Sequence, residues 1–242
     1  MLKTERMDRV RAALRAQGLT QMIVCDPKSV WYLTGVAVEP YERLLALYLP
    51  TEGEPVLFLN RLFNVPEPPC RTVWHTDTDK PVAQIAEVVD AGRPLGIDKE
   101  WPAKFLIPLM ETHPGMQVVL SSDCVDDCRA CKDAEEQALM REASRINDAV
   151  NEAAKHYIKA GMTEREVAEF IDAQFRAHGC EGPSFTTIVS FGANAADPHH
   201  EPDDTVLKEG DCVLFDMGCV KSRYCSDMTR TWFCGQPTRS EE

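Results

Sequence analysis

Apolar positions change period several times along this chain, and each change marks an element. Residues 4–17 set Met7, Val10, Ala13 and Leu14 at three-four spacing, which predicts an amphipathic helix stopped by Gly18. Residues 21–25 form a short apolar run of strand length. Asp26-Pro27 then opens a turn region ending in Trp31-Tyr32-Leu33-Thr34-Gly35. Residues 44–49 and 55–59 predict two strands, joined by the hairpin-type connection Thr51-Glu52-Gly53-Glu54. A helix at 81–90, a strand at 95–97, a helix at 102–112 and a strand at 117–120 follow. Such alternation implies an α/β domain with its own sheet over residues 1–130.

Residues 121–133 are polar and rich in Asp and Cys, and the domain boundary is placed there. Cys124, Cys128 and Cys131 would share a helix face, but a structural zinc site wants a fourth ligand and tighter pairing. From residue 131 onward a long helix is predicted from the stripe Leu139, Ala143, Ile146, Val150, Ala153 and Tyr157. Thr163-x-x-Glu166 is a capping box for a second helix that buries Val167, Phe170, Ile171 and Phe175 and closes at Gly179. The period then becomes two, with strands at 185–191, 211–218 and 224–233. Thr238-Arg239-Ser240-Glu241 is a further capping box, followed only by Glu242, so the 242 residues are expected to be part of something longer.

Composition narrows the classes. Hydrophobic residues at 44% and charged residues at 27% fit a folded globular chain. A net charge of −13 argues against a nucleic-acid partner, which wants a basic stripe. No run approaches the length of a membrane span, and the start Met1-Leu2-Lys3-Thr4-Glu5-Arg6 has no apolar signal core. Ten cysteines, several inside apolar runs as Cys25 and Cys212 are, read as reduced thiols of a cytoplasmic protein.

Chemistry concentrates near the end. If Lys221-Ser222 forms the loop of a hairpin, Asp216 and Asp227 stand directly opposite each other and project to one face, with Gly218 leaving room beside them and Thr229 near enough to donate to a carboxylate. Two ionised carboxylates so close need a cation between them. Val213, Leu214, Phe215 and Met217 suggest a strand buried on both sides, which speaks against a hairpin with both Asp in solvent. Upstream, Gly192-Ala-Asn194 leads to Pro198-His199-His200; on extended backbone the two histidines point to opposite sides, and each alone reads as a turn or surface histidine. Gly-x-Ser-x-Gly, His-Glu-x-x-His and Gly-rich phosphate loops are absent.

The order Gly-x-Asn194, Pro198-His199, Gly210-Asp211, Asp216-x-Gly218, Tyr224-x-Ser-Asp227-x-Thr-Arg-Thr231 resembles the pita-bread metallopeptidase family of Xaa-Pro dipeptidases, aminopeptidases P, methionine aminopeptidases and creatinase. Trp31-Tyr32-Leu33-Thr34-Gly35 resembles the creatinase-type N-terminal domain, which favours the Xaa-Pro branch. The resemblance implies a creatinase-like domain over 1–130 and the first half of an α+β pita-bread domain over 131–242. It further implies that Asp216 and Asp227 are metal ligands, the latter bridging two divalent ions (Mn, Co or Zn). His199 would hydrogen-bond the substrate carbonyl, and Thr229 would support the ligands. The family's other ligands, a His and two Glu, lie downstream of the second Asp, and this chain ends before them. The implied reaction is hydrolysis of Xaa-Pro bonds in small peptides by metal-activated water, in a homodimer, with the 242 residues alone inactive. Metal-free amidino hydrolysis of the creatinase kind, or peptide binding without cleavage, are the alternatives on the same fold; the presence of both Asp weighs against the first, and that of Asp216, Asp227 and His199 against the second. Arg223 stands where the family usually has Gly.

Overall fold

The computed structural model describes residues 2–236. The capping box expected at 238–241 lies outside the described residues. By its internal contacts the chain divides into Met1–Cys131 and Lys132–Glu242.

The first unit is built on a six-stranded sheet of order β4-β3-β2-β1-β5-β6. Its strands are β1 (Gln21–Val24), β2 (Ala46–Pro50), β3 (Val56–Asn60), β4 (Arg71–His75), β5 (Leu95–Ile97) and β6 (Val118–Leu120). Alternate residues feed two cores. Met22, Val24, Leu47, Leu49, Leu57 and Leu59 pack with α1 (Thr4–Ala16), α2 (Pro27–Thr34) and α5 (Asp123–Ala130). Ile23, Ala46, Tyr48 and Phe58 pack with α3 (Pro81–Ala86) and α4 (Ala103–Thr112) on the other face. The central strands are buried at successive positions, and the alternation of their side chains between faces lets one sheet serve both layers.

One expectation is corrected and one strand added. The Asp26-Pro27 turn region is the helix α2. Asp26 caps it through the backbone N–H groups of Lys28 and Ser29, Pro27 occupies its first turn, and Gly35 closes it at φ 75. Strand β4, not predicted from the sequence, pairs in parallel with β3 through Thr72, Val73 and Trp74. Cys124 and Cys128 are buried in the α5 core contact while Cys131 is exposed, so the three thiols do not form one ligand face.

The second unit packs α6 (Ala134–Tyr157) and α7 (Glu164–Ala177) on the sheet β8 (Ile188–Phe191), β9 (Cys212–Met217) and β12 (Met228–Phe233), ordered β12-β9-β8. A smaller sheet joins β7 (Gly182–Pro183), β10 (Cys219–Lys221) and β11 (Tyr224–Cys225). Capping boxes start both helices, Asp133 with Glu136 and Thr163 with Glu166. The buried stripe of α6 differs from the apolar one. It runs Glu136, Ala143, Asn147, Val150, Asn151 and Ala154, whereas Leu139, Ile146 and Ala153 are half-buried and Tyr157 is exposed and stacks on Phe170 at 3.9 Å. The helix is rotated toward its polar residues because these serve the hairpin described next. Among the described residues no helix is long and apolar enough to cross a membrane.

Candidate metal-binding hairpin and histidine loop

Strand β9 runs on through Gly218 into β10, turns, and returns as β11 and β12. Lys221 pairs with Tyr224, so the turn residues are Ser222 and Arg223, both with left-handed backbone at φ 50 and φ 68. Two positive-φ residues are the signature of a two-residue hairpin turn matching the strand twist, and they explain why Gly is favoured where Arg223 stands. This register differs from the expected one. Asp216 faces Thr229, not Asp227, and Asp227 lies one diagonal further along. A one-residue slip would have sent the two carboxylates to opposite faces; a two-residue difference keeps them on the same one. Diagonal neighbours in such ladders sit about 7–8 Å apart, within reach of a shared ion between long side chains.

The environment of this face also departs from expectation. Val213, Phe215 and Met217 are fully buried against α6 and α7, but Cys212, Leu214 and Asp216 are only half-buried and Asp227 and Thr229 are exposed. The helices cover one side of the strand, so it alternates instead of being buried on both sides. Asp216 nevertheless has one carboxylate oxygen, Oδ1, shielded from solvent and without a hydrogen-bond partner. A desolvated carboxylate oxygen left so costs more than a neutral group would, and a cation is the natural partner. The hard oxygen donors of Asp216 and Asp227 therefore fit part of a divalent metal site.

Gly218 does not leave space beside the carboxylates. A Cβ there would overlap the Ser226 carbonyl oxygen and Ser184 Oγ. Those two groups are themselves hydrogen-bonded, Ser184 Oγ donating to the Ser226 carbonyl at 2.8 Å, while the Ser184 N–H donates to the Gly218 carbonyl at 3.0 Å. With its carbonyl engaged by Ser184, Ser226 offers its hydroxyl to the Cys219 N–H instead, at 3.0 Å. From the helix side, Asn147 Nδ2 donates to the Met217 carbonyl at 3.0 Å and Tyr224 donates to Glu136 at 2.9 Å. The hairpin that carries both Asp residues is thus pinned at four backbone or side-chain points.

His199 lies elsewhere, in the loop after β8. A 3₁₀ turn, Gly192–Ala196, is followed by a tight turn from Asp197 to His200, closed by the His200 N–H on the Asp197 carbonyl at 3.3 Å. Asp197 Oδ1 also accepts the His199 N–H at 2.9 Å. Asp at the first position and Pro198 at the second are the residues such a turn selects. The histidines are therefore on a turn and not on extended backbone. His199 is exposed, whereas the His200 side chain is turned inward, 15% exposed, onto a fully buried Glu164.

Among the described residues, Glu164, His200 and Asp203 are the one group of three or more potential metal ligands close enough to share an ion. Each oxygen of Glu164 is already engaged by two hydrogen bonds. Glu164 Oε1 accepts the Phe191 N–H at 2.7 Å and Asn194 Nδ2 at 3.0 Å, and Oε2 accepts His200 Nε2 at 2.6 Å and the Asp203 N–H at 3.1 Å. His200 Nε2 is thus engaged by Glu164 within the cluster. The Asp203 carboxyl is held below its usual range by donation from the Thr205 hydroxyl and N–H. Nothing local sets Glu164 apart in the sequence, since an acid in the first turn of a helix is ordinary on dipole grounds alone.

Residues 6–131 match the Creatinase/Prolidase N-terminal domain and residues 138–242 match Metallopeptidase family M24. A Staphylococcus epidermidis protein described as an uncharacterized peptidase is 30% identical over 237 residues, spanning 96% of this chain. The chain belongs to metallopeptidase family M24. A prolidase from Thermococcus sibiricus superimposes with a TM-score of 0.88 at 29% identity over 100% of the chain, and the dipeptidase PepE of Mycobacterium ulcerans with 0.88 at 30% over 98%. The chain spans 67% of the staphylococcal protein, 68% of the prolidase and 66% of PepE. This M24 chain is therefore a creatinase-type N-terminal domain followed by part of a pita-bread catalytic domain, from a family whose peptidases depend on metal.

Proposed function

We propose that the protein containing this chain hydrolyses peptide bonds before proline in small peptides, as a dipeptidase or aminopeptidase, with divalent metal held in part by Asp216 and Asp227. The observation that carries the reading is the solvent-shielded, partnerless Oδ1 of Asp216, on the same sheet face as Asp227 in an M24 chain. Likeness to a prolidase and a dipeptidase supports the substrate class. Bound divalent ions would polarise the scissile carbonyl and acidify water, with Mn, Co or Zn suited to the oxygen-rich donors. Thr229, directly across from Asp216, steadies that side of the hairpin, and exposed His199 donates to the substrate carbonyl oxygen as charge builds there. Two carboxylates alone hold metal weakly, so the 242 residues by themselves are expected to be inactive. The protein is further proposed to be cytoplasmic and homodimeric, without nucleic-acid or membrane partners.

The test is hydrolysis by the purified full-length protein of a panel of Xaa-Pro and Xaa-Ala dipeptides and tripeptides, with Mn²⁺, Co²⁺ and Zn²⁺ in turn. Preference for proline after the scissile bond, abolished by Asp216→Asn, supports the reading. Equal cleavage of the alanine series refutes the specificity, and inactivity with every metal refutes the activity.

A further inference from the structure

The buried carboxylate of Glu164, at the start of α7, is not used by the proposed chemistry, yet it makes four hydrogen bonds to the loop that carries His199. Its four donors come from three places along one loop: the Phe191 N–H at the end of β8, the Asn194 amide in the 3₁₀ turn, and His200 together with the Asp203 N–H beyond the tight turn. The Asn194 amide also reaches Thr205 Oγ1 at 3.1 Å. Backbone pairing closes the loop on the same helix start, with Glu164 N–H on the Thr205 carbonyl and Arg165 N–H on the Asp203 carbonyl. The start of α7 adds a favourable field for the negative charge.

We infer that Glu164 is a positioning residue for His199. This rests on the proposed role of His199. Past Phe191, which sits in the core, the loop to 203 has no large apolar side chain to anchor it, and Ala193, Ala195 and Ala196 are small. Its path is fixed instead by one carboxyl group that gathers hydrogen bonds on both sides of Pro198-His199. Drawing His200 inward at the end of the tight turn leaves His199, one residue earlier, at the exposed crest. Without the carboxylate, four hydrogen bonds are lost around a side chain that is itself fully buried. The loop must then open, and the direction of His199 is lost with it.

A substitution by Gln keeps size but turns one acceptor into a donor facing donors. Glu164→Gln and the milder His200→Phe, which removes one donor and leaves the other three bonds, are compared in the full-length protein. Amide hydrogen exchange is expected to rise by about tenfold or more at Phe191 and Asp203 in Glu164→Gln, and by less in His200→Phe, with α6 amides unchanged. The metal-loaded enzyme should lose kcat by about tenfold or more with KM within about threefold, as for a group that acts mainly in the transition state. Thermal melts correct activity for the folded fraction. Unchanged exchange in the loop overturns the inference, and so does a kcat that returns to the parent value per folded molecule. Stoichiometric Mn²⁺ binding lost in both variants with loop exchange intact would show a metal site instead. If the parent cleaves no Xaa-Pro peptide, the functional reading fails while the exchange result still decides whether Glu164 holds the loop.

Discussion

Gly218→Ala tests the claim that close backbone approach sets the register of the two Asp residues. The added methyl meets the Ser226 carbonyl oxygen and Ser184 Oγ, and the former is backbone that cannot swing aside. Forcing a methyl into a filled site costs about 1–3 kcal/mol. Displacing the Ser184–Ser226 hydrogen bond, at 2.8 Å, adds about 0.5–1.5 kcal/mol. The expected loss is therefore about 2–4 kcal/mol, which at about 3 °C per kcal/mol for a chain of this size lowers Tm by about 6–12 °C. Urea unfolding of parent, Gly218→Ala, Ser184→Ala and the double variant measures it. Removing Ser184 Oγ relieves one of the two overlaps, so the double variant should be less destabilised than the sum of the singles by about 0.5 kcal/mol or more. A Gly218→Ala protein within about 0.5 kcal/mol of the parent, or strict additivity, would refute the argument.

Replacing Ser222-Arg223 with Asn-Gly should stabilise the hairpin by about 0.5–1 kcal/mol, since both positions hold positive φ and the Arg223 N–H keeps its bond to Glu181; a rise in urea midpoint checks it. The Glu166 carboxyl is held below its ordinary 4.5 first by the Thr163 N–H and then by the Thr163 hydroxyl. Its folded pKa is therefore depressed, so its contribution is fully present above pH 4.5 and fades as pH falls through the folded value. Glu166→Gln should accordingly flatten the decline of urea midpoint below that pH. Of the ten cysteines, exposed Cys131 and Cys225 should react first with a thiol reagent at pH 8. Cys180, whose thiol burial and the neighbouring Cys219 push up to about 12, should react only slowly, and its rapid labelling would contradict the packing.

Much of this was decided locally. Helix α1, the strand pair β2–β3, both helices of the second unit and the capping box at Thr163 follow from period and cap residues, because those signals act within a few residues. The Asp197-Pro198 turn is equally local. Parity is local too, which is why Asp216 and Asp227 share a face even though their pairing differs by two residues from the expected one. Only tertiary structure decided that pairing. Neither Lys-Ser nor Ser-Arg is a preferred turn, so the choice fell to packing around Gly218, Ser184 and Ser226, far apart in sequence. The polar stripe of α6 and the role of Glu164 were hidden for the same reason. A buried Asn or Glu is tolerated only where distant donors and acceptors meet it, and those partners, Met217, Tyr224, Phe191 and His200, are assembled by the fold alone.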